Sequence, residues 1–329
     1  MPSSLTSTAI AAALAALPLA SAHGYVASAT ISGTPYFVGN PNWAYQTPIP
    51  KQPGWYANNL DNGFVTPASY GGPDIICHKS ATAGSTALTI SAGGTISLQW
   101  NTWPNSHKGP VSNMLAAVNG DFQAADKTKL KWFEAEVGAL LDDSSPPGSW
   151  ATDKLIANNF TSDFIVPAGL APGNYVLRHE ILALHAANSA NGAQSYPMCI
   201  NLVVTGSGTT SPCAASGADC RLGEALYTAT DPGILIDIYS PITDYQIPGP
   251  ALIKGGDFTG NIGGPPGGSG GSTGGSDVDV YCLNTSYLDQ DINIRTFRAS
   301  HLYQTRNIHV FRCADRRAAD PAGLAQHAV

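Results

Sequence analysis

The sequence predicts an all-β fold, an immunoglobulin-like antiparallel β-sandwich with long loops. Short runs of alternating apolar and polar residues lie between Gly- and Pro-rich turns, and no helical period is sustained. Only 12% of residues are charged, with 35 Gly and 24 Pro, against about a quarter charged in an ordinary soluble chain. The net charge of -7 argues against a nucleic-acid partner and suits a neutral substrate such as a polysaccharide.

Residues 1–22 read as a cleavable secretory leader. The run from Ala9 to Leu19 is apolar and too short to span a membrane, and Ala20-Ser21-Ala22 is a cleavage signal. The expected location is outside the cell, unattached to membrane. Cleavage makes His23 the first residue, so one residue carries an imidazole and a primary amine. Six cysteines in a secreted chain, none in C-x-x-C spacing, point to disulfides.

The long stretch from Asn40 to Gly72, rich in Pro, Asn and aromatics, reads as functional loop. After Gly93-Gly94, Ile96, Leu98 and Trp100 alternate with polar residues as a strand does. His107 follows in a stiff loop, WPNSHKGP. Asn174 to His185 alternates with apolar residues on both faces, which predicts a central strand buried on two sides. His185 stands at its end, and Gln194 and Tyr196 follow. Ile200, Leu202 and Val204 mark another strand, ended by Gly206. Gly263 to Ser276 is a flexible Gly/Ser/Pro linker within residues 251–276. Residues 277–329 differ again: six of the eight arginines fall there, with no lysine, and no fold is assignable.

Taken singly, these residues are ordinary: His107 a loop histidine, Tyr196 a packed aromatic, His185 a core histidine. Together, two imidazoles and one amine offer three nitrogens in a T, a geometry that suits Cu(II), and a tyrosine oxygen can fill an axial place.

Residues 23–250 resemble a fungal lytic polysaccharide monooxygenase of auxiliary activity family 9, formerly glycoside hydrolase family 61. The stretches that carry the resemblance are HGYV at His23, PDIICH ending at His78, LQWNTWPNSHKGPV from Leu98, DDSSPPGSWATDKLIANN from Asp142, APGNYVLRHEILALHAA from Ala171, NGAQSYPMCINL from Asn191, YTATDPGILIDIY from Tyr227 and YQIPGP from Tyr245. The resemblance implies a catalytic domain with a flat face holding one copper ion. His23 would bind through its amine and Nδ1, His107 through Nε2, and Tyr196 axially. His185 and Gln194 would hydrogen-bond oxygen species. Tyr239 matches the family's surface tyrosine and would stack on a sugar ring, and Trp43 and Tyr45 in the long early loop are further candidates for that role. The implied reaction is oxidative cleavage of β-1,4-glucan (cellulose) at C1 or C4 by a monomer, using O2 or H2O2 and an external reductant. Cys77 and Cys199 match the family's long-range disulfide.

The chain departs from the family in two places. Val118 and Phe122 stand where a second pair of cysteines is common, and residues 277–329 do not match a family 1 carbohydrate-binding module. Cys213 with Cys220, and Cys282 with Cys313, are possible local pairs. Sequons stand at Asn159 and Asn284. A hydrolase would need two carboxylates facing across a sugar. The adjacent Asp142 and Asp143, and Glu134 and Glu136 on one strand, read instead as solvated surface charge.

Overall fold

The computed structural model describes residues 23–214 and 218–253. The leader, nearly all of the linker, the segment 277–329 with Cys282 and Cys313, and the Asn284 sequon lie outside the described residues. The strands in chain order are β1 (Val26–Ile31), β2 (Thr34–Phe37), β3 (Leu88–Ser91), β4 (Thr95–Trp100), β5 (Val111–Val118), β6 (Lys131–Gly138), β7 (Leu140–Asp142), β8 (Ser149–Trp150), β9 (Thr161–Ile165), β10 (Gly173–Ala183), β11 (Gln194–Thr205) and β12 (Arg221–Leu222). Two short helices are α1 (Asp74–Cys77) and α2 (Ala151–Ala157). One sheet runs β2-β1-β4-β9 and the other β12-β6-β5-β10-β11-β3, while β7 and β8 form a small ribbon. Among the described strand pairs, only β3 against β11 is parallel. None of the described helices is long and apolar enough to cross a membrane.

Alternation explains the layers. Leu98, Trp100 and Phe164 of the smaller sheet pack against Leu115, Leu177, Ile181 and Ile200 of the larger. The larger sheet's other face carries Met114, Trp132, Val176 and Leu182, covered by Ile75, Ile76, Trp150, Tyr227 and Ile234 from long loops. So β10 is apolar on both faces because it has a core on both sides. Each such aliphatic side chain contributes about 1.5 to 3 kcal/mol by leaving water.

A buried charge cluster ties the loops to the covered face. The Arg178 guanidinium forks onto Glu180 at 2.7 and 2.9 Å. It also donates to the carbonyls of Ile76 and Ile75, each at 2.9 Å, which anchors α1. The Tyr227 hydroxyl donates to Glu180. Glu134 corrects the sequence expectation of a solvated acid. It is 1% exposed and neither of its carboxylate oxygens has a hydrogen-bond partner among the described residues. A register shift between Asn113 and Met114 pairs Glu134 with Met114, itself paired with Arg178, so it points into the covered face. Burial pushes its carboxyl well above the usual range.

Cys77 at the end of α1 is bonded to Cys199 on β11 across 122 residues. Closing so long a loop contributes about 4 to 5 kcal/mol on the chain-entropy account. Cys213 bonds Cys220. At the departure noted above, Val118 and Phe122 are both buried, and Asn174 Nδ2 donates to the Gly120 carbonyl at 2.9 Å. Apolar packing and a pinned turn hold that loop.

Candidate metal centre

The segment entering β1 delivers His23. Tyr25 N–H donates to Asn101 Oδ1 at 2.8 Å. A Cβ on Gly24 would stand 2.1 Å from the Thr102 carbonyl oxygen, so only glycine permits this close pass. His107 lies in the loop between β4 and β5. The Trp103 indole donates to the His107 carbonyl at 2.9 Å, and His107 N–H donates to the Pro104 carbonyl at 3.0 Å. Lys108 pairs with Asp153 of α2 at 2.5 Å, fixing the loop's far end. Tyr196 sits on β11 opposite Ile181 of β10, three residues before the Cys199 disulfide.

These elements bring five of the expected residues together. The rings of His23 and His107 lie 5.4 Å apart, nearly perpendicular, and His23 lies 5.5 Å from Tyr196. His185 stacks on His107 at 3.8 Å. The Tyr196 hydroxyl donates to Gln194 Oε1 at 2.7 Å. Two residues not singled out from the sequence complete the packing. Phe64 touches both His23 (5.7 Å) and Tyr196 (5.8 Å). Trp103 meets Tyr196 edge to face at 5.0 Å. Trp103 lies inside a quoted motif, but nothing in the spacing of Phe64 could have signalled its contact with a residue 41 positions away.

The donor set fits a metal. His107 Nδ1 is engaged with Ser106 Oγ at 3.1 Å, which leaves Nε2 to face a ligand. Burial, helped by His185 and His23, lowers the His107 imidazole to about 4. Burial also lowers His23, against a smaller opposing pull from Asp61, and it lowers His185 together with His23. All three rings are therefore neutral near pH 7. Burial first, and Asp61 second, push the Tyr196 phenol well above its usual value, so it stays protonated and is at most a weak donor. Among the described residues no three His, Cys, Asp or Glu side chains form a metal-holding group. A metal held by His23 and His107 would therefore draw its third donor from outside these side-chain types, and the leader cleavage expected from the sequence would free an amine on His23.

The expected sugar-stacking residues divide. Tyr45 and Tyr239 are 75% and 54% exposed. Trp43 is half-buried: its indole donates to the Ala57 carbonyl at 3.0 Å and its ring packs on Tyr56 at 5.1 Å. Asn159 is exposed in the turn after α2.

Comparison with known proteins follows the same boundaries. The model of Auxiliary Activity family 9 (formerly GH61) matches residues 23–246. The chain is 48% identical over 256 residues to an AA9 family lytic polysaccharide monooxygenase A of Talaromyces verruculosus, covering 76% of each. It is 47% identical over 235 residues to one of Thermoascus aurantiacus, covering 71% of this chain and all of that one. Among solved structures, the extended catalytic domain of H. jecorina LPMO9A superposes with a TM-score of 0.66 at 46% identity, over 76% of this chain and 96% of that one.

Proposed function

The chain belongs to Auxiliary Activity family 9, the copper-dependent lytic polysaccharide monooxygenases, and from that premise we propose that it oxidatively cleaves the β-1,4-glucan chains of cellulose at C1 or C4. It is an oxidoreductase that acts on polysaccharide. The proposed oxidant is O2 or H2O2, with electrons from an external reductant, and the proposed form is a secreted monomer whose catalytic domain spans residues 23–250. The two disulfides among the described residues suit an extracellular setting.

The observation that supports this reading is the convergence of His23, His107 and Tyr196. His23 and His107 would hold one copper ion, with the freed amine as third nitrogen and the Tyr196 hydroxyl as a further, weaker donor. Copper bound there supplies one-electron chemistry and activates the oxidant. The chain's own part is to hold two neutral imidazoles in place beside the freed amine and to keep Tyr196 from ionising. His185 would hydrogen-bond the oxidant's oxygens, and Gln194 would orient the Tyr196 hydroxyl. Tyr45 and Tyr239 would lie against sugar rings. Asn159, exposed in its sequon, would accept a glycan.

Copper titration by calorimetry on two forms of the protein tests the reading. One form begins at His23 and the other carries a single alanine before it. The expected result is tight one-to-one binding in the first and affinity weakened more than about 100-fold in the second. Equal affinity would remove the amine from the ligand set and leave a carbohydrate-binding sandwich.

A further inference from the structure

His78 ends the PDIICH stretch and takes no direct part in the metal centre, yet it stands in a demanding place. Its backbone has φ 78° and ψ 175°, a conformation almost confined to glycine. The residue is fully buried, and its ring makes two hydrogen bonds. Lys79 N–H donates to Nδ1 at 2.9 Å, so the ring's proton lies on Nε2, which donates to the Gly63 carbonyl at 2.9 Å. Burial lowers the imidazole to about 4, which keeps this neutral form at ordinary pH. A residue that only filled space here could be apolar, and one that only turned the chain would be glycine. The rigid imidazole does a third thing: it spans from the Lys79 amide to the Gly63 carbonyl.

That carbonyl belongs to the peptide unit that enters Phe64. On the far side of Phe64, Val65 exchanges both backbone hydrogen bonds with Ser195 of β11, at 2.9 and 3.0 Å, and Tyr196 is the next residue. Phe64 is thus clamped at both ends, and its ring lies 5.7 Å from His23 and 5.8 Å from Tyr196. His78 is itself held in place by the bond from its neighbour Cys77 to Cys199. We propose that His78 is a positioning residue for the metal centre: it holds the Gly63 carbonyl, seats the Phe64 ring against His23 and so sets the plane of the His23 imidazole. The inference rests on the monooxygenase reading, which assigns His23 to the metal. The link consists of one hydrogen bond, one peptide unit and one ring contact. Removing the hydrogen bond or the ring should release the His23 imidazole.

The test begins with NMR on the mature, metal-free protein. Ring nitrogen shifts should give the Nε2–H form of His78, and Overhauser contacts should join the Phe64 and His23 rings. Asparagine tolerates positive φ better than most residues, and in H78N its amide keeps the bond from Lys79 but stops short of Gly63. H78N should weaken the ring contacts, shift the copper(II) hyperfine splitting in the EPR spectrum and lower copper affinity about tenfold. In H78Q the longer amide reaches the place of Nε2, and all three readouts should return toward the parent. F64L should reproduce the H78N spectrum, and the double variant should add nothing to it. A proton on Nδ1, a parent-like spectrum in H78N or F64L, or additive effects would overturn the proposal. Should H78N fail to fold, the tautomer and the F64L spectrum still decide. A parent that binds no copper would sink the monooxygenase reading instead, and the metal-free ring contacts keep the two failures apart.

Discussion

The indole N–H of Trp103 donates to the backbone carbonyl of His107 at 2.9 Å while the same ring stands edge-on to Tyr196, 5.0 Å between centroids. One buried side chain thereby ties the loop of a proposed nitrogen ligand to the residue carrying the proposed oxygen donor. W103F keeps the ring but strands the His107 carbonyl. The expected cost is about 1 to 3 kcal/mol of stability in denaturant titration, with altered copper hyperfine splitting in the EPR spectrum. An unchanged spectrum would assign Trp103 to packing alone.

His185 stacks on His107 at 3.8 Å, is only half-buried, and its Nδ1 has no hydrogen-bond partner among the described residues. H185Q should lower turnover on cellulose by about 10- to 100-fold. Copper affinity and thermal midpoint should stay close to those of the parent. A large fall in the midpoint would mean that this histidine serves the fold.

Half-buried Glu136 and buried His78 act on stability with opposite sign. Burial raises Glu136 from its ordinary 4.5 to about 7, against weaker help from Lys154. The unfolded chain then ionises first, so stability is full below 4.5 and falls as pH rises through 7. Burial lowers His78 from 6.5 to about 4. There the unfolded chain protonates first, so stability is full above 6.5 and falls as pH drops toward 4. Each effect is worth up to about 3 kcal/mol. Urea midpoints across pH 4 to 8 should show E136Q gaining on the parent with rising pH and H78Q gaining with falling pH. Parallel profiles for parent and variants would refute both assignments.

Cellulose adsorption separates the exposed tyrosines from the pinned tryptophan. Y45A and Y239A should each weaken binding by about 3- to 10-fold with little change in stability. W43F should do the reverse: it loses the hydrogen bond to the Ala57 carbonyl, costs about 1 kcal/mol of stability, and leaves adsorption unchanged.

The layer architecture was legible because alternation is local. Ile96, Leu98 and Trp100 announce their strand, and the two apolar faces of β10 announce a core on both sides. His23, His107 and Tyr196 were legible as a joint pattern rather than one by one. What the sequence could not display were relations made by tertiary register. Glu134 looks like any strand acid until the shift at Asn113 turns it onto the covered face. Phe64 and Trp103 acquire their roles only when three separate loops meet, and nothing in the spacing of Gly63 and His78 foretells their hydrogen bond.

The Cys77–Cys199 bond has a further consequence for life among extracellular proteases. The exposed turn at Asp143, Ser144 and Ser145 is the natural place for a cut, and it falls inside the stretch that this bond spans. A nick there would leave His23 and His107 on one fragment and His185 and Tyr196 on the other. The two fragments would run apart on a reducing gel, yet in the oxidising medium they stay one molecule, with the site's halves still tethered.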